Sequence, residues 1–448
     1  MADAIHHDGD HDHGHDLPAF PADAPDIGLL RKLSIGAALL GFGVFGGLGA
    51  INLSADPDHG VRTLFTAYLC GFVFWCSLPF GALLLSMIGF QMMASWGVVF
   101  RRIFQASLRT LPLLFVLGVP VIASLFVNGG KDSPFWWADR GWEGEDKGVV
   151  AKAMFGEDNL GTREQVAENQ HKIHDYLNPI FFVGQYVAVF VVLGLLAYRI
   201  HSHARRGEDA DSEAATAQAR GFSGPGILIT VLTLTFFATQ WVMSVEPTWA
   251  SSMFPVVFGM NMFLTTFAFC TLIFYTLAQK GDTLAIVKDK FRIDIGSLTL
   301  AFCMVWAYAS FCQYMLVWAG NLPEELTYYR KRGGGEENVS DWLYLSYFLM
   351  AFHWLIPFVT LLMREVKTSP TAMRIMAVLF LTVCACDVVW WILPNVEYKT
   401  YYHTPMAFAA ILGVGGLWGL FFCGQLAKRP LLPSNHEARF IQTWGQHH

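Results

Sequence analysis

The sequence predicts an all-α, polytopic membrane protein, because its composition is too apolar for an ordinary soluble domain. Of its 448 residues, 54% are hydrophobic and 15% are charged, whereas soluble domains carry about 25% charged residues. The charges lie between repeated apolar runs that are as long as a transmembrane helix requires, about 18 residues or more. Both observations indicate a chain that crosses a bilayer many times.

Ten apolar runs predict about ten transmembrane helices. A helix of about 20 residues crosses about 30 Å of hydrocarbon, and each run reaches this length. The runs cover about 33–53, 63–90, 106–127, 177–199, 223–247, 253–279, 294–319, 342–363, 372–394 and 404–426.

Lysine and arginine are divided unevenly between the two alternating sets of connections. One set holds most of them, including Arg101, Arg102, Arg205 and Arg206. The positive-inside rule therefore predicts that both termini are cytoplasmic. The basic cluster at 330–332 lies on the opposite side and goes against the rule, but the total outweighs it.

Polar segments flank and interrupt the predicted transmembrane domain, which covers residues 29–430. Residues 1–28 form a His- and Asp-rich tail that could bind metal, although a disordered, solvated cytoplasmic tail is the favoured interpretation. Residues 431–448 form a second cytoplasmic tail. Residues 128–176 form an extracytoplasmic loop, which either docks a partner or folds onto the spans.

The sequence lacks the ligand patterns of the common redox cofactors. Its eight cysteines fall within apolar spans and form no CxxC or CxxCH motif. A bis-histidine haem needs two imidazoles at similar depth, but only His353 of the 15 histidines lies well within a span. We therefore expect no haem, iron–sulfur cluster, metal or covalent cofactor in this chain, and no nucleic-acid partner.

Three ionisable residues lie within the spans or at their ends, where burial is costly and marks candidate functional sites. Counting about 1.5 Å per residue places Glu246 at the outer end of the fifth span, Asp387 about two turns below that surface and His353 about three turns down. This stagger predicts a proton pathway with Glu246 as its outer exit. The alternative is that all three groups only bond to neighbouring helices and fix their packing.

Polar neighbours extend the predicted pathway along two helical faces. Spacing places Thr239 on the same face as Glu246, and it places Trp306, Ser310 and Gln313 together on the seventh span. Thr239 and Gln313 are included in the predicted pathway, with the structural interpretation favoured for both.

Tyr308 completes the predicted proton-pathway set and belongs to a possible quinone site as well. Trp306, Tyr308 and His353 offer aromatic surface and a hydrogen-bonding group to a quinone ring. Pro357 has no N–H to donate to the carbonyl of His353, so we expect this carbonyl to be open to water or a ligand.

Several motifs together resemble the F subunit of alternative complex III, a member of the polysulfide-reductase membrane-anchor (NrfD-like) family. The resemblance covers nearly all of residues 30–430, and NLPEE after the seventh span is its most distinctive part. The motifs are FWCSLPFGALLLSMIGFQMMASWGVVFRRIFQASLRTLPLL (74–114), QWVMSVEPTWASSMFPVVF (240–258), WAYASFCQYMLVWAGNLPEE (306–325), FHWLIPFVTLLMREVK (352–367) and DVVWWILP (387–394).

The resemblance implies two four-helix bundles, formed by spans two to five and six to nine, with flanking helices. It implies a complex of the bacterial cytoplasmic membrane that oxidises menaquinol or ubiquinol. Its partners would be a multihaem c-type cytochrome, an iron–sulfur protein, a sister NrfD-like quinol subunit, small anchor subunits, lipids and in some cases a terminal oxidase. The matching intramembrane polar positions are Glu246, Gln313, Glu324, Glu325, His353 and Asp387.

The sequence therefore favours a cofactor-free membrane subunit of a quinol-oxidising respiratory complex, which scaffolds the assembly, carries a proton pathway and has no catalytic residue of its own. Three alternatives stay open: a direct quinone-binding subunit, a purely structural anchor and a secondary transporter. The last predicts paired helix breaks in two inverted halves. Pro79 and Pro357 are the only comparable breaks, and they form no clear pair.

Overall fold

The fold is all-α, as the sequence predicts. The computed structural model describes residues 24–57, 59–138, 176–209, 213–246, 249–278, 289–333, 340–395 and 403–432, and no β-strand occurs within these ranges. Within them, ten helical segments are long and apolar enough to cross a membrane. The chain is thus a multi-pass membrane protein. The predictions for the His-rich tail, most of the loop at 128–176 and nearly all of the C-terminal tail lie outside the described residues.

Eight of the ten spans are single α-helices. We number the spans in chain order. These eight are span 1 (Gly28–Ala55), span 2 (Gly60–Met92), span 4 (Pro179–Asp209), span 5 (Glu213–Trp241), span 6 (Phe254–Ala278), span 7 (Asp289–Gly320), span 9 (Pro370–Ile392) and span 10 (His403–Leu426).

Two spans are interrupted. Span 3 consists of Arg101–Leu108, Leu111–Leu117 and Val119–Ser124, and its breaks precede Pro112 and Pro120, which lack the N–H that a continuous helix requires. Span 8 consists of Trp342–Leu349, a π-helical segment Met350–Leu355 and Ile356–Leu362.

Short helices and turns connect the spans. Three are α-helices: Ser95–Val99, Pro323–Gly333 and Arg364–Thr368. Four are 3₁₀ turns: Val127–Gly130, Trp136–Ala138, Met243–Val245 and Leu393–Asn395. The helix Pro323–Gly333 follows span 7 and packs against the end of span 9.

Spans 2 to 5 form one four-helix bundle and spans 6 to 9 form a second, as the resemblance implies. In the first, spans 2 and 4 each contact spans 3 and 5; in the second, spans 6 and 8 each contact spans 7 and 9. Spans 1 and 10 pack against each other beside span 2. The two bundles meet along spans 2 and 6, where the Thr266 hydroxyl donates to the Ser77 carbonyl over 3.1 Å.

Burial distinguishes the central helices from the peripheral ones. In the most apolar window of each span, 83% of residues are buried in span 2 but only 22% in span 8. Because the exposed side chains of span 8 are mostly apolar, they suit contact with lipid or with another membrane protein rather than water. The groove described below opens on this peripheral side.

Candidate functional site

The centre of the second bundle holds a buried imidazole and a buried carboxylate in direct contact. His353 lies on the π-helical segment of span 8 and Asp387 on span 9. They are 0% and 2% exposed, and His353 Nδ1 lies 3.3 Å from Asp387 Oδ2. This distance is within ion-pair range, but His353 Nδ1 makes no geometrically acceptable hydrogen bond among the described residues. The two side chains therefore form one site.

This contact brings together two residues that the predicted stagger placed at different depths. Counting residues placed Asp387 and His353 about one turn apart, and in the structure their side chains approach to 3.3 Å. Side chains that begin one turn apart can still touch, so the depths themselves stay a prediction. Asp387 and His353 are direct neighbours within the bundle.

Asn261 on span 6 is the third member of the cluster. Its Nδ2 donates to Asp387 Oδ2 over 3.0 Å and lies 3.4 Å from the carbonyl oxygen of Cys384. The Thr265 hydroxyl, one turn further along the helix, donates to the Asn261 carbonyl over 2.8 Å. Sequence reasoning missed Asn261. The available signal was an uncharged amide in the middle of an otherwise apolar span.

The surroundings of the His353 ring restrict its orientation. The indole of Trp306 stacks on it at a centroid distance of 3.7 Å and an interplanar angle of 20°. Cys384 Sγ lies 3.8 Å from Nε2, within hydrogen-bond range for sulfur. An aromatic ring and a thiol therefore restrict the position of the imidazole.

The carbonyl of His353 is not open in the way that Pro357 suggested. Cys303 Sγ on span 7 donates to this oxygen over 3.1 Å. Pro357 has no N–H to donate to this carbonyl, but the Cys303 thiol of the neighbouring span donates to it instead. The Cys303 thiol therefore occupies one acceptor position of this oxygen. For that position, the prediction of a water or a ligand is wrong.

A groove of about 620 Å³ runs between spans 7, 8 and 9 and reaches Asp387. Most of its lining is apolar or aromatic, and it is open on one side. Trp306, Ser310 and Gln313 all line it, which confirms the predicted shared face. His353 lies behind Asp387 and is not part of the lining.

Three polar atoms on the wall of this groove have no hydrogen-bond partner among the described residues. They are Trp306 Nε1, Ser310 Oγ and Trp354 Nε1. Unpaired buried donors are uncommon in folded proteins and usually indicate a missing water or ligand. Each of these atoms is buried, so a molecule with hydrogen-bond acceptors would reach it only after a small rotation of the side chain.

Tyr308 and Gln313 both line the groove but differ in burial. The Tyr308 side chain is 67% exposed, whereas His353 and Asp387 are buried. Gln313 is buried; its Nε2 donates to the Tyr329 hydroxyl over 3.1 Å, and its Oε1 accepts from Ser251 over 3.5 Å. Burial raises the pKa of Tyr329 to about 12, so this phenol is neutral at physiological pH.

Glu246 is buried and paired rather than open. It is 2% exposed, and Lys331 Nζ lies 2.5 Å from its Oε2. Its role as an outer exit stays a prediction, and this ammonium group lies directly beside the carboxylate. The predicted helical face that joins it to Thr239 is wrong. Span 5 ends at Trp241, and the Thr239 hydroxyl bonds to the Thr235 carbonyl of its own helix over 2.9 Å.

Arg332, a member of the basic cluster at 330–332, has its hydrogen-bond acceptors inside the protein. Its guanidinium is 1% exposed and donates to the carbonyl oxygens of Tyr328, Trp390 and Trp391 over 2.7, 3.1 and 2.8 Å. It also lies 3.4 Å above the centre of the Tyr328 ring. Arg332 and Lys331 are thus internal cations that hold the helix Pro323–Gly333 against the bundle.

Tyr328 is a buried tyrosine within electrostatic range of the two buried carboxylates. Its ring stacks on Trp249 at 3.8 Å and 14°, and it is in electrostatic range of both Asp387 and Glu246. Burial raises the pKa of Tyr328, so the phenol stays protonated. Its hydroxyl has no hydrogen-bond partner among the described residues. The side chains of Glu324 and Glu325, which match the resemblance, are outside the described part of the chain.

The fold and the site define the class of protein: a polytopic α-helical membrane protein with two bundles and a buried imidazole–carboxylate cluster beside a groove. No protein-family model matches the chain, and no curated protein matches it. The function is therefore argued from the site itself.

Proposed function

We propose that this chain is an integral subunit of a quinol-oxidising complex of the bacterial cytoplasmic membrane, of the alternative complex III type. It scaffolds the assembly and carries part of a proton pathway. The two-bundle architecture and the motifs at 240–258, 306–325 and 387–394 support this proposal. Haems and iron–sulfur clusters belong to its partners, a multihaem cytochrome and an iron–sulfur protein.

The contact between His353 and Asp387 is the observation that carries the proposal. A buried carboxylate is costly unless it is paired and hydrogen-bonded, and here its described partners are one amide and one imidazole. A proton can reside on the carboxylate or on the imidazole. The pair can therefore accept or release one proton without a large change in packing.

Uncharged hydrogen-bonding groups provide the proposed route for a proton from Asp387 towards the predicted outer face. Asp387 borders the groove, whose wall carries Gln313 hydrogen-bonded to Tyr329. Tyr328 is within electrostatic range of both Asp387 and Glu246. A phenol can accept a proton on its oxygen while it donates its own. The Lys331–Glu246 ion pair then closes the outer end of the proton pathway. The pathway opens there only when this ion pair breaks.

Replacing Asp387 with asparagine tests the proposal. In Asp387→Asn, the side-chain oxygen still accepts from Asn261, but the acidic proton is lost. We expect roughly a 100-fold loss of proton-coupled turnover, as is usual when an acid–base group is removed, with assembly of the complex intact. The measurement is quinol oxidation and proton release by membranes that contain the assembled complex.

Asp294→Asn is the matched control, because Asp294 is an exposed carboxylate on span 7. This control should leave turnover unchanged. Full activity and full proton coupling in Asp387→Asn would contradict the proton pathway.

A second candidate function is quinone or quinol binding in the groove, and a different observation favours it. The volume of about 620 Å³ is within the range of about 300–1,000 Å³ that is usual for ligand pockets. The unpaired donors Trp306 Nε1, Ser310 Oγ and Trp354 Nε1 suit the two carbonyl oxygens of a quinone ring. The open side would admit an isoprenoid tail from the membrane.

The indole donors allow this second function to be separated from the first. Trp354→Phe keeps an aromatic ring but removes the N–H. We expect the amount of quinone that co-purifies to fall and the KM for quinol to rise, with proton coupling per turnover unchanged. Trp318→Phe is the control, since Trp318 is 64% exposed on span 7 and does not line the groove. Equal quinone content in both variants would exclude quinone binding there.

A further inference from the structure

The groove between spans 7, 8 and 9 has a carboxylate in its wall. Asp387 lines the groove, and its two described contacts, from Asn261 Nδ2 at 3.0 Å and from His353 Nδ1 at 3.3 Å, both use Oδ2. Asn261 is uncharged, and His353 is charged only if it is protonated. Among the described residues, Asp387 therefore has no ion-pair partner with a fixed positive charge.

The charge of the groove lining is negative. No lysine, arginine or histidine is among the described residues that line the groove, and Asp387 is the only carboxylate among them. Charges of one sign in a cleft with apolar walls produce a focused electrostatic field, and the low dielectric of such walls strengthens it. The groove therefore attracts a cation and repels an anion.

The aromatic part of the lining adds a second attraction for a cation. Its described members are Trp306, Tyr308, Phe311, Tyr314, Tyr329, Trp354, Trp390 and Trp391. The face of an aromatic ring carries partial negative charge and attracts a cation, and tryptophan is the most effective of the aromatic residues. Aromatic cages built in this way recognise quaternary ammonium groups.

The open side of the groove is surrounded by exposed apolar surface. Tyr308, Phe311 and Met350 belong to the lining and are 67%, 60% and 58% exposed. In a multi-pass membrane protein, such side chains contact lipid. A ligand that enters from this side therefore needs apolar groups around its charge.

The charge and the shape together select one class of molecule. An organic cation with apolar groups, such as a substituted quaternary ammonium or phosphonium ion, pairs with the carboxylate and covers the aromatic rings. A quinone makes no use of the negative charge. A metal ion is not favoured, because no group of three His, Cys, Asp or Glu side chains that could hold one occurs in the described part of the chain.

We propose that the groove between spans 7, 8 and 9 binds an apolar organic cation. Its positive centre pairs with Asp387, and its apolar groups lie against Trp354 and Phe311. This inference goes beyond the proposed function, because it needs neither quinol nor a partner subunit. Cation binding is measured on the purified chain alone, whereas the proton pathway is tested by turnover of the complex, so either one can fail without the other.

Equilibrium dialysis of the purified chain in an uncharged detergent tests the site, with tetraphenylphosphonium and tetraphenylborate as the two probes. These ions have the same shape and opposite charge. The unmodified chain should bind the cation and should retain no more of the anion than empty detergent micelles do. Asp387→Asn should weaken cation binding about ten-fold, which corresponds to about 1.4 kcal/mol. Asp294→Asn, at an exposed carboxylate of span 7, should leave it unchanged.

A second variant changes the aromatic wall and keeps the carboxylate. Trp354→Leu keeps an apolar side chain but removes the ring, and it should weaken binding of the cation about three-fold, as expected for the loss of one cation–π contact. Trp318→Leu is the control, since Trp318 is 64% exposed and does not line the groove. Equal binding of the two probes by the unmodified chain, unchanged affinity in Asp387→Asn, or equal affinities in Trp354→Leu and Trp318→Leu would each overturn the cation site.

Discussion

The two bundles treat buried charge in different ways. In the first bundle, Glu208 forms ion pairs with Arg102, Arg101 and Arg429, and these charged contacts join spans 3 and 4 to the segment after span 10. In the second bundle, the described partners of Asp387 are one amide and one imidazole, neither of which carries a fixed charge. A network of fixed charges joins helices, whereas a carboxylate beside an imidazole is an arrangement that can serve proton transfer. This difference separates a structural cluster from a candidate functional one.

The interrupted helices show a parallel contrast. Span 3 of the first bundle is interrupted before Pro112 and Pro120. Neither His353 nor Asp387 lies at these interruptions. Span 8 of the second bundle is broken by a π-helical segment that contains His353. Such segments occur often at functional sites. The irregularity in span 8 therefore agrees with the charge argument.

The largest effect on stability is expected from Glu208→Gln. It removes the carboxylate that lies 2.5 Å from Arg102 in a nearly buried ion pair, and removing one partner of a buried ion pair costs roughly 3–5 kcal/mol. Thermal unfolding of the purified chain should occur at a clearly lower temperature. The folded fraction should keep normal turnover per complex, and a selective loss of turnover with unchanged stability would reverse the roles of the two bundles.

His353→Gln should have the largest effect on activity after Asp387→Asn. A glutamine fills similar space but cannot accept a proton, so we expect roughly a 100-fold loss of turnover, about 2.7 kcal/mol in barrier height. His403→Gln is the control, because His403 on span 10 contacts Thr63 through Nε2 and takes no part in the cluster. Equal losses in both variants would indicate a general effect of removing a buried histidine.

Cys303→Ala should give a moderate loss of stability. The thiol donates to the His353 carbonyl, and leaving a buried acceptor unsatisfied costs about 1–3 kcal/mol. Cys303→Ser restores a donor and should recover part of this loss. Thermal unfolding of both variants measures the difference, and identical behaviour of the two would mean that the carbonyl needs no partner.

The smallest effect is expected from Tyr329→Phe. It removes the hydrogen bond from Gln313, worth about 0.5–1.5 kcal/mol. The tyrosine pKa is raised from 10.0 to about 12, so the unfolded chain loses this proton first. The stability contributed by Tyr329 is complete below about pH 10 and declines above it. The phenylalanine variant should lack this component, and an identical alkaline decline in both proteins would contradict the assignment.

Much of the fold follows from local properties of the sequence. Hydropathy and length locate the ten spans because each helix satisfies its own backbone groups in a membrane. The breaks in span 3 follow from Pro112 and Pro120, and the shared face of Trp306, Ser310 and Gln313 follows from helical spacing. The same local reasoning singled out His353 and Asp387 as unusual.

The partners of these residues could not be predicted in this way. Asn261 contacts Asp387 across 126 positions, and Lys331 contacts Glu246 across 85. Such contacts depend on how the helices pack, and residue counting along one helix contains no information on its neighbours. The end of span 5 at Trp241, well before Glu246, was missed because apolar character continues beyond the last helical hydrogen bond.

The close packing of spans 1 and 10 has a consequence for the whole chain. A Cβ at Gly41 would lie 2.2 Å from the Gly413 nitrogen, and one at Gly416 would lie 2.1 Å from the Ala38 nitrogen. The two helices run antiparallel with their backbones nearly touching, so any side chain larger than hydrogen at either glycine would force the two helices apart.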